Sequence, residues 1–322
     1  MDTVTARANA NIAFIKYWGN RNESLRLPVN SSISMNLNGL FTETSVTWDT
    51  ALQFDTLVLN GTSDQGKALD RVAKHLQALR DRLGIVGYAR VESSNNFPMG
   101  AGIASSAASF AALTVAAVGS AHLTLTEPML SALARLGSGS AARSIPTGFA
   151  EWYASDDHDQ SYAVSVAPPD YWNLVDVVAV ISGEHKPVGS TQGHQSAGSS
   201  DLQSARVAGA SARLEQCRKA ILERDFGSFA EVVELDSNLM HAVMMTSRPP
   251  LFYWLPVSLT VMKLVSEWRA EGLDVCYTLD AGPNVHCICT QDSADEVRSR
   301  LSNVSGVREI LVAAPGAGAT II

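Results

Sequence analysis

Residues 98–109 (Pro-Met-Gly-Ala-Gly-Ile-Ala-Ser-Ser-Ala-Ala-Ser) form the stretch with the most direct potential for phosphate chemistry. They lie between a strand-like run at 88–93 and small residues at 110–118 that predict a helix. A helix N-terminus presents unpaired N–H groups, and glycine lets a ligand approach the backbone. Ser105 and Ser106 can add hydroxyls to phosphate oxygens or a phosphate-bound cation. The stretch predicts a phosphate site, while tight packing alone would also explain such a turn.

Two common phosphate motifs are excluded at this stretch. It has no Gly-Lys-Ser/Thr ending of a P-loop, and residues 100–105 lack the third glycine of the dinucleotide-binding fingerprint. A nucleotide site built here is therefore of another type.

Residues 137–144 (Gly-Ser-Gly-Ser-Ala-Ala-Arg-Ser) combine small hydrogen-bond donors with one cation. A guanidinium among small neighbours can hold a carboxylate or phosphate through two parallel hydrogen bonds. The pattern predicts that Arg143 faces a ligand. The alternative is a helix C-cap followed by a new N-cap, with Arg143 in solvent.

Two further turns bring charged residues to the ends of strand-like runs. Asp280 opens the turn 280–284 between apolar runs at 275–279 and 285–290, and Lys16 leads, with two aromatic residues, into the turn 19–22. Aspartate is common in turns because its side chain bonds the following backbone. The functional alternative for Asp280 is a general base that projects into a cleft. Turn chemistry leaves both open.

The elements that position these residues are predicted from hydrophobic periodicity. The N-terminal part is rich in strands and includes a hairpin that ends at Asn60-Gly61. The loop 183–200 is long enough to act as a functional lid. Predicted strands are 4–18, 31–37, 42–48, 52–59, 88–93, 149–153, 162–166, 174–181, 275–279, 285–290 and 309–312. Predicted helices are 69–83, 110–118, 127–136, 201–222, 226–244, 255–270 and 294–301.

The composition of the chain limits the classes of function that it can have. The 322 residues, of which 46% are hydrophobic, suffice for one large or two medium domains. A net charge of −8 argues against sequence-independent nucleic-acid binding, which needs a basic surface. The absence of a long apolar run or a signal peptide predicts a cytoplasmic protein without a membrane partner. Four cysteines and seven histidines lack metal-ligand spacing, so no protein-held zinc is expected.

Taken together, these stretches resemble the GHMP kinase superfamily and, within it, the mevalonate diphosphate decarboxylase family. The first and last matching runs are specific to the decarboxylases. The resemblance implies an α+β fold with a ribosomal-protein-S5-like N-terminal domain (1–182), a ferredoxin-like C-terminal domain (183–322) and an active site in the cleft between them. The matching runs are 11–19 (NIAFIKYWG), 27–34 (LPVNSSIS), 102–107 (GIASSA), 137–144 (GSGSAARS), 149–152 (FAEW) and 278–285 (TLDAGPNV).

The resemblance also implies the chemistry. ATP, with Mg²⁺, would phosphorylate the tertiary C3 hydroxyl of a 5-phosphorylated mevalonate, and loss of that phosphate with CO2 would leave the isopentenyl double bond. Family members are commonly homodimers, so a homodimer is expected. There are two alternatives: a kinase that stops after phosphorylation, and a catalytically silent ligand sensor on the same fold.

The resemblance assigns roles to individual residues. Asp280 would deprotonate or orient the C3 hydroxyl, Arg143 would hold the C1 carboxylate, and Lys16 would offset charge in the transition state. Residues implied on the substrate side are Tyr17, Asn20, Ser138, Gly139, Ser140 and Thr191. Residues implied on the ATP side are Gly100, Gly102, Ala104, Ser105, Ser106 and Asn60, with Ser105 and Ser106 also near Mg²⁺.

Departures from the family pattern bear on the substrate. Asn20 stands where a diphosphate-binding lysine is usual, and residues 190–192 offer only hydroxyls and an amide where a basic residue is common. Losing two cations weakens binding of a diphosphate more than of a monophosphate. This favours mevalonate 5-phosphate, giving isopentenyl phosphate, with mevalonate 5-diphosphate as the alternative. Cations that could compensate are Arg21, His185, Lys186 and His194. Ala142 and Pro146-Thr147 also depart from the pattern, near the Arg143 pocket.

Overall fold

The fold was obtained as a computed structural model that describes residues 2–97, 105–183 and 188–322. The predicted phosphate-site residues Gly100, Gly102 and Ala104 lie outside these ranges, as do His185 and Lys186. The strands within the described ranges are β1 (Val4–Ile15), β2 (Asn20–Asn22), β3 (Leu27–Pro28), β4 (Ser32–Asp49), β5 (Thr56–Leu59), β6 (Thr62–Asp64), β7 (Tyr88–Asn95), β8 (Phe149–Trp152), β9 (Ala163–Ala167), β10 (Leu174–Val180), β11 (Val275–Thr278), β12 (Val285–Thr290), β13 (Glu309–Ala313) and β14 (Thr320–Ile321).

The helices connect and cover these strands. Within the same ranges, no helix combines the length and the apolarity needed to cross a membrane. The α-helices are α1 (Lys67–Leu83), α2 (Ser105–Ser120), α3 (Glu127–Gly137), α4 (Ser190–Ser196), α5 (Gln203–Ala208), α6 (Ala210–Glu223), α7 (Phe226–Thr246), α8 (Pro256–Ala270) and α9 (Gln291–Ser302), and short 3₁₀ helices cover Gly139–Ser144 and Ala197–Ser199.

The larger sheet is built around β4. It has the order β14-β1-β4-β7-β5-β6, and the first part of β4 also pairs with β8, which pairs with β9. The pairing of β1 with β4 shifts between Asn9/Phe41 and Asn11/Asn36. Gly39 lies in this irregular segment at φ 86, a conformation that glycine adopts without strain. Strand β4 can therefore bend here, so that its first part pairs with β8 and its later part pairs with β7.

Two strand predictions in this region are wrong. Residues 31–37 and 42–48 belong to the single strand β4 rather than to two strands. The expected hairpin of 42–48 with 52–59 does not form, because β7 lies between β4 and β5 and pairs with both. Asn60-Gly61 does make a tight turn, but it joins β5 to β6. Alternation identifies which face of a strand is buried and does not identify the neighbouring strand.

Helix α2 is the central helix of the N-terminal layer. Almost all of its side chains are buried, and it packs against β1, β4 and α3. Small residues such as Ala108, Ala111 and Ala112 let the helix approach the sheet closely. Its first residue, Ser105, is thereby fixed at the end of the helix that faces the cavity described below.

The smaller sheet has the antiparallel order β11-β12-β10-β13. Val175 and Val177 of β10 pack in one core with α8 and α9, and Val178 packs in the core shared with Phe14 of β1 and Phe229 of α7. The Phe14 and Phe229 rings meet edge to face with centroids 4.8 Å apart. The domain boundary between residues 182 and 183 stays a prediction. Strand β10, which precedes that boundary, belongs to the smaller sheet. The two sheets share a continuous core beneath the site.

Two predictions in the C-terminal half also need correction. Residues 201–222 form two helices, which meet at Gly209, where a Cβ would lie 2.6 Å from Arg213 Nη1. Arg213 Nη2 donates to the carbonyl of Arg206 (2.7 Å), so a side chain satisfies a carbonyl near the break. The expected loop 183–200 contains α4 and the 3₁₀ helix Ala197–Ser199. Because this segment is rich in glycine and serine, its sequence did not predict these short helices.

Candidate active site

Lys16 follows β1 directly and is held at its backbone as well as its side chain. Its N–H donates to Asp236 Oδ2 (2.6 Å), and its carbonyl accepts from Arg206 Nη2 (2.8 Å) and Asn30 Nδ2 (3.0 Å). Its Nζ donates to Asp280 Oδ1 at 2.7 Å, although the lysine is only 1% exposed. Helices α5 and α7 therefore fix the position of a buried ammonium group.

Asp280 follows β11, and its side chain is partly exposed. The preceding N–H, of Leu279, donates to Ser237 Oγ (3.0 Å) on α7. Burial raises the pKa of Asp280, but the charges of Lys16, His286 and Arg143 together outweigh it and hold the pKa below 3.8. Burial lowers the pKa of Lys16 from 10.5, and Asp280 opposes part of that shift. The contact between the two groups thus favours their charged forms, whereas burial opposes them.

His241 on α7 is a further titratable group near this pair. It is 1% exposed and packs against Trp254 with ring centroids 4.7 Å apart. Burial and the charge of Lys16 lower the pKa of His241 to about 3. The imidazole is therefore neutral and adds no charge to the lysine and aspartate pair.

Arg143 lies in the 3₁₀ helix Gly139–Ser144 and is 3% exposed. Nη1 donates to Ser32 Oγ (2.6 Å) and Nη2 donates to Asn11 Oδ1 (3.3 Å). Among the described residues it forms no ion pair, and its Nε has no hydrogen-bond partner. Burial lowers the pKa of Arg143 to about 10, while Asp280 opposes the shift. The guanidinium remains charged at neutral pH and can receive an anionic ligand.

The segment of Gly139 packs directly against Tyr17. A Cβ on Gly139 would lie 2.5 Å from Tyr17 Cε1, so only glycine fits without movement. The Tyr17 ring stacks on His194 with centroids 4.1 Å apart, and it meets Trp152 edge to face at 4.7 Å. Its hydroxyl donates to Asn20 Oδ1 in a short hydrogen bond. Tyr17 is therefore a rigid wall of the site.

These groups line one cavity of about 240 Å³. It brings together most of the predicted site residues from the segment after β1, α2, the region of the 3₁₀ helix Gly139–Ser144, α4 and the turn after β11. The predicted residues that line it are Lys16, Tyr17, Ser105, Ser106, Ser138, Gly139, Ser140, Arg143, Thr191 and Asp280. Ser106 Oγ and Ser138 Oγ are 3.1 Å apart, which links α2 to the residue that precedes the 3₁₀ helix.

Of the predicted site residues that the structure describes, two do not line this cavity. Asn20 contacts its wall through Tyr17, and its Nδ2 donates to Glu23 Oε2 (3.0 Å). Asn60 lies in the turn between β5 and β6, where its Oδ1 accepts from the N–H of Asn95 (3.0 Å). Asn60 therefore has a structural role in the turn, which its left-handed conformation (φ 50) also indicates.

Two arginines that the sequence analysis did not consider also line the cavity. Arg26 comes from the turn between β2 and β3, and Arg71 from α1. Arg26 Nε donates to the carbonyl of Leu136 (3.0 Å), and Arg71 lies over the Phe110 ring at 5.1 Å. Arg71 has no clear sequence signal, because a polar residue on an amphipathic helix normally faces solvent.

A second cavity of about 260 Å³ adjoins the first. The two share Arg71, Ser105 and Ser106, and the walls of the second are mainly apolar. Its apolar residues are Leu57, Leu59, Ala68, Val72, Val91, Phe110 and Leu113. An apolar pocket joined to cations and hydroxyls suits a ligand with a flat apolar group and an anionic tail.

Comparison with known proteins identifies the family. The model described as diphosphomevalonate decarboxylase-like N-terminal domain matches residues 8–163, and mevalonate 5-diphosphate decarboxylase C-terminal domain matches 176–313. The diphosphomevalonate decarboxylase of Candida albicans is 39% identical over 321 residues, which cover 94% of this chain and 88% of the relative.

Solved structures agree over the whole chain. The crystal structure of mevalonate diphosphate decarboxylase from Staphylococcus aureus has a TM-score of 0.95 at 37% identity and covers 99% of this chain and 98% of its own. A structure described as MDDEF in complex with MVAPP, AMPPCP and magnesium has a TM-score of 0.93 at 36% identity, with the same coverage. These matches confirm the predicted two-domain α+β fold. The chain therefore belongs to the diphosphomevalonate decarboxylase family of the GHMP superfamily.

Proposed function

We propose that this chain converts mevalonate 5-diphosphate and ATP into isopentenyl diphosphate, CO2, ADP and phosphate. As a member of its family it is an ATP-dependent decarboxylase of the mevalonate pathway, with ATP and Mg²⁺ as cofactors. The observation that carries the proposal is the Lys16–Asp280 pair, 2.7 Å apart, in one cavity with Arg143. That cavity combines an acceptor for a hydroxyl proton with cations for a carboxylate and for phosphates.

The choice of the diphosphate reverses the preference drawn from the sequence. Asn20 favoured the monophosphate, because a usual lysine is missing there. The relatives and structures named above are all diphosphate decarboxylases, which supports the alternative. Arg26 and Arg71 also supply cations that the sequence analysis did not consider.

In the first step, Asp280 accepts a hydrogen bond from the C3 hydroxyl and orients its oxygen toward the γ-phosphorus of ATP. Because the pKa of Asp280 is held low, the carboxylate is a weak base, and proton transfer is expected late, as the new O–P bond forms. Lys16 offsets the charge that builds between the hydroxyl oxygen and the phosphoryl group. The O–P bond to ADP breaks as the bond to the C3 oxygen forms.

In the second step, Arg143 holds the C1 carboxylate so that the C1–C2 bond can break in line with departure of the C3 phosphate. The electron pair of the C1–C2 bond becomes the C2–C3 double bond, CO2 leaves, and the C3–O bond breaks to release phosphate. The hydrogen bonds from Arg143 to Ser32 and Asn11 fix the guanidinium plane, which favours this geometry.

The nucleotide fits the second cavity. Its apolar walls suit the adenine, while Arg71, Ser105 and Ser106 at the junction suit the polyphosphate. Among the described residues, no three acidic, histidine or cysteine side chains come together as a metal site. Mg²⁺ would therefore be held mainly by phosphate oxygens with Ser105 or Ser106, and it would neutralise charge on the transferred phosphoryl group.

The decisive experiment measures CO2 and ADP release with ATP and Mg²⁺, comparing mevalonate 5-diphosphate and mevalonate 5-phosphate side by side. We expect equal amounts of CO2 and ADP and a higher kcat/KM for the diphosphate. A higher kcat/KM for the monophosphate would restore the preference drawn from Asn20. ADP without CO2 would instead identify a kinase, and turnover of neither compound would overturn the proposal.

The expected homodimer and the cytoplasmic location remain predictions. Light scattering of the purified protein should give twice the chain mass of 34.3 kDa. A mass of 34.3 kDa would show a monomer, and fractionation of the source cells would test the location.

A further inference from the structure

Arg26 and Arg71 leave positive charge unbalanced on one wall of the cavity. Neither forms an ion pair with another described residue, and Asp280, the acidic residue lining the cavity, already pairs with Lys16. Arg26 Nε is bonded to the Leu136 carbonyl, while Nη1 and Nη2 make no hydrogen bond to a described residue. Two guanidinium groups that share a wall without a carboxylate indicate an anionic ligand.

The two arginines differ in which cavity they reach. Arg71 lines both cavities, whereas Arg26 lines only the one that holds Asp280 and Arg143. Arg26 belongs to the turn after β2, close in the chain to Tyr17 and Asn20. The Leu136 carbonyl that anchors it lies two residues before Ser138. Arg26 is therefore placed on the substrate side, and Arg71 at the junction with the nucleotide pocket.

The backbone of Arg26 is also unusual. It has φ 49, a conformation that non-glycine residues rarely adopt. Its N–H lies 3.4 Å from the carbonyl of Glu23, and the side chain is half-buried against α3. A long cation at a left-handed turn position is more strained than glycine or asparagine would be there, and a role for its guanidinium would account for that cost.

We infer that Arg26 is a specificity-determining residue that binds the terminal phosphate of the substrate and replaces the cation missing at Asn20. Two guanidinium N–H groups donate to phosphate oxygens, and a diphosphate, with its greater charge, gains more from this contact than a monophosphate. Glu23, which accepts from Asn20, lies in the same turn but does not line the cavity and forms no ion pair with Arg26. This inference rests on the proposed function, because it concerns the substrate of that reaction.

The test is Arg26→Gln, with binding measured calorimetrically without ATP and with steady-state kinetics. We expect Kd and KM for mevalonate 5-diphosphate to rise about 10- to 100-fold, the size of one lost charge-assisted contact. The KM for ATP should change less than about threefold, and mevalonate 5-phosphate should lose less affinity than the diphosphate. Arg26→Lys should restore part of the loss. Asn20→Lys in the Arg26→Gln background should restore affinity by returning a cation to this wall.

Arg248→Gln is the matched control. Arg248 pairs with exposed Asp201 and does not line the cavity, so its loss should leave both constants within about twofold. A rise confined to the KM for ATP would assign Arg26 to the nucleotide and overturn the inference. Unchanged Kd for the diphosphate in a folded Arg26→Gln protein would also overturn it. If the wild-type protein binds the diphosphate but releases no CO2, the proposed function fails while the Arg26 measurement still stands.

Discussion

Two groups of cavity-lining residues, a paired side (Lys16, Asp280 and Arg143) and an unpaired side (Arg26 and Arg71), handle charge in opposite ways. On one side, Lys16 and Asp280 are paired at 2.7 Å, and Arg143 is tied to Ser32 and Asn11. On the other side, Arg26 and Arg71 face the cavity without an ionic partner among the described residues. Groups that are held before the substrate arrives are suited to the chemical step, whereas unbalanced cations are suited to capturing an anion. Substitutions on the first side should lower kcat, and substitutions on the second should raise KM.

Asp280→Asn is the strongest test of this contrast. It removes the hydroxyl acceptor and leaves Lys16 buried without a carboxylate, so kcat should fall about 10²- to 10⁴-fold with a smaller change in KM. Release of CO2 and ADP measures the loss, and circular dichroism checks the fold. Unchanged turnover would return Asp280 to a role in its turn.

Arg143→Gln should have the next largest effect. It removes the charge expected to hold the C1 carboxylate and should lower kcat/KM about 10- to 100-fold. The product ratio is the sharper measurement, because ADP release should exceed CO2 release if the carboxylate is no longer aligned. A loss expressed only as a higher KM for ATP would contradict the assignment.

Gly139→Ala tests the rigid wall that Tyr17 forms in the cavity. The added methyl would meet Tyr17 Cε1 at 2.5 Å, and Tyr17 is confined by His194 and Trp152. We expect about a tenfold higher KM for the substrate and about 1–3 kcal/mol lower stability, measured by denaturant unfolding. Gly198→Ala is the control, because a Cβ there meets nothing within 4 Å. Equal effects at both positions would rule out a specific role for this contact.

Changes in pH should have the smallest effect on activity, and the direction of that effect follows directly from the pKa shifts. Asp280, with its pKa held below 3.8, is ionised above about pH 5, so it should not cause an acid limb there. Its contribution to stability is full above the unfolded pKa and is lost as the pH falls through the folded pKa. The pKa of Lys16 is lowered, so kcat should fall on the alkaline side at a pH below 10.5. Lys16→Arg should move that limb upward, and an unmoved limb would exclude Lys16 as its cause.

Much of the fold and of the paired side of the site was predictable from the sequence. Helix α1 follows from 3.6-residue spacing, and the predicted end of that helix at 83 is confirmed by the left-handed Gly84 that caps it. Lys16, Arg143 and Asp280 stand in specific motifs, and the fold brings them into one cavity. Local pattern and motif order carry this information directly.

The strand order and the unpaired side were not predictable in the same way. Nothing in residues 42–59 indicates that β7 lies between β4 and β5, because that choice depends on long-range packing. Arg26 and Arg71 belong to no quoted motif, and they come together only when the fold brings the β2–β3 turn and α1 to the same cavity. The substrate preference drawn from Asn20 failed to weigh these cations for that reason.

The return of the C-terminal segment to the first strand has a consequence for biosynthesis. β14 pairs with β1, and residues 314–316 bond to Asn36 and Asn38 in the irregular part of β4. During translation, the edge of β1 that pairs with β14 stays unpaired until residues about three hundred positions later have been synthesised. Such a distant closure slows folding and leaves a strand edge exposed on the nascent chain. The larger sheet is therefore completed only after all four strands of the smaller sheet have been synthesised.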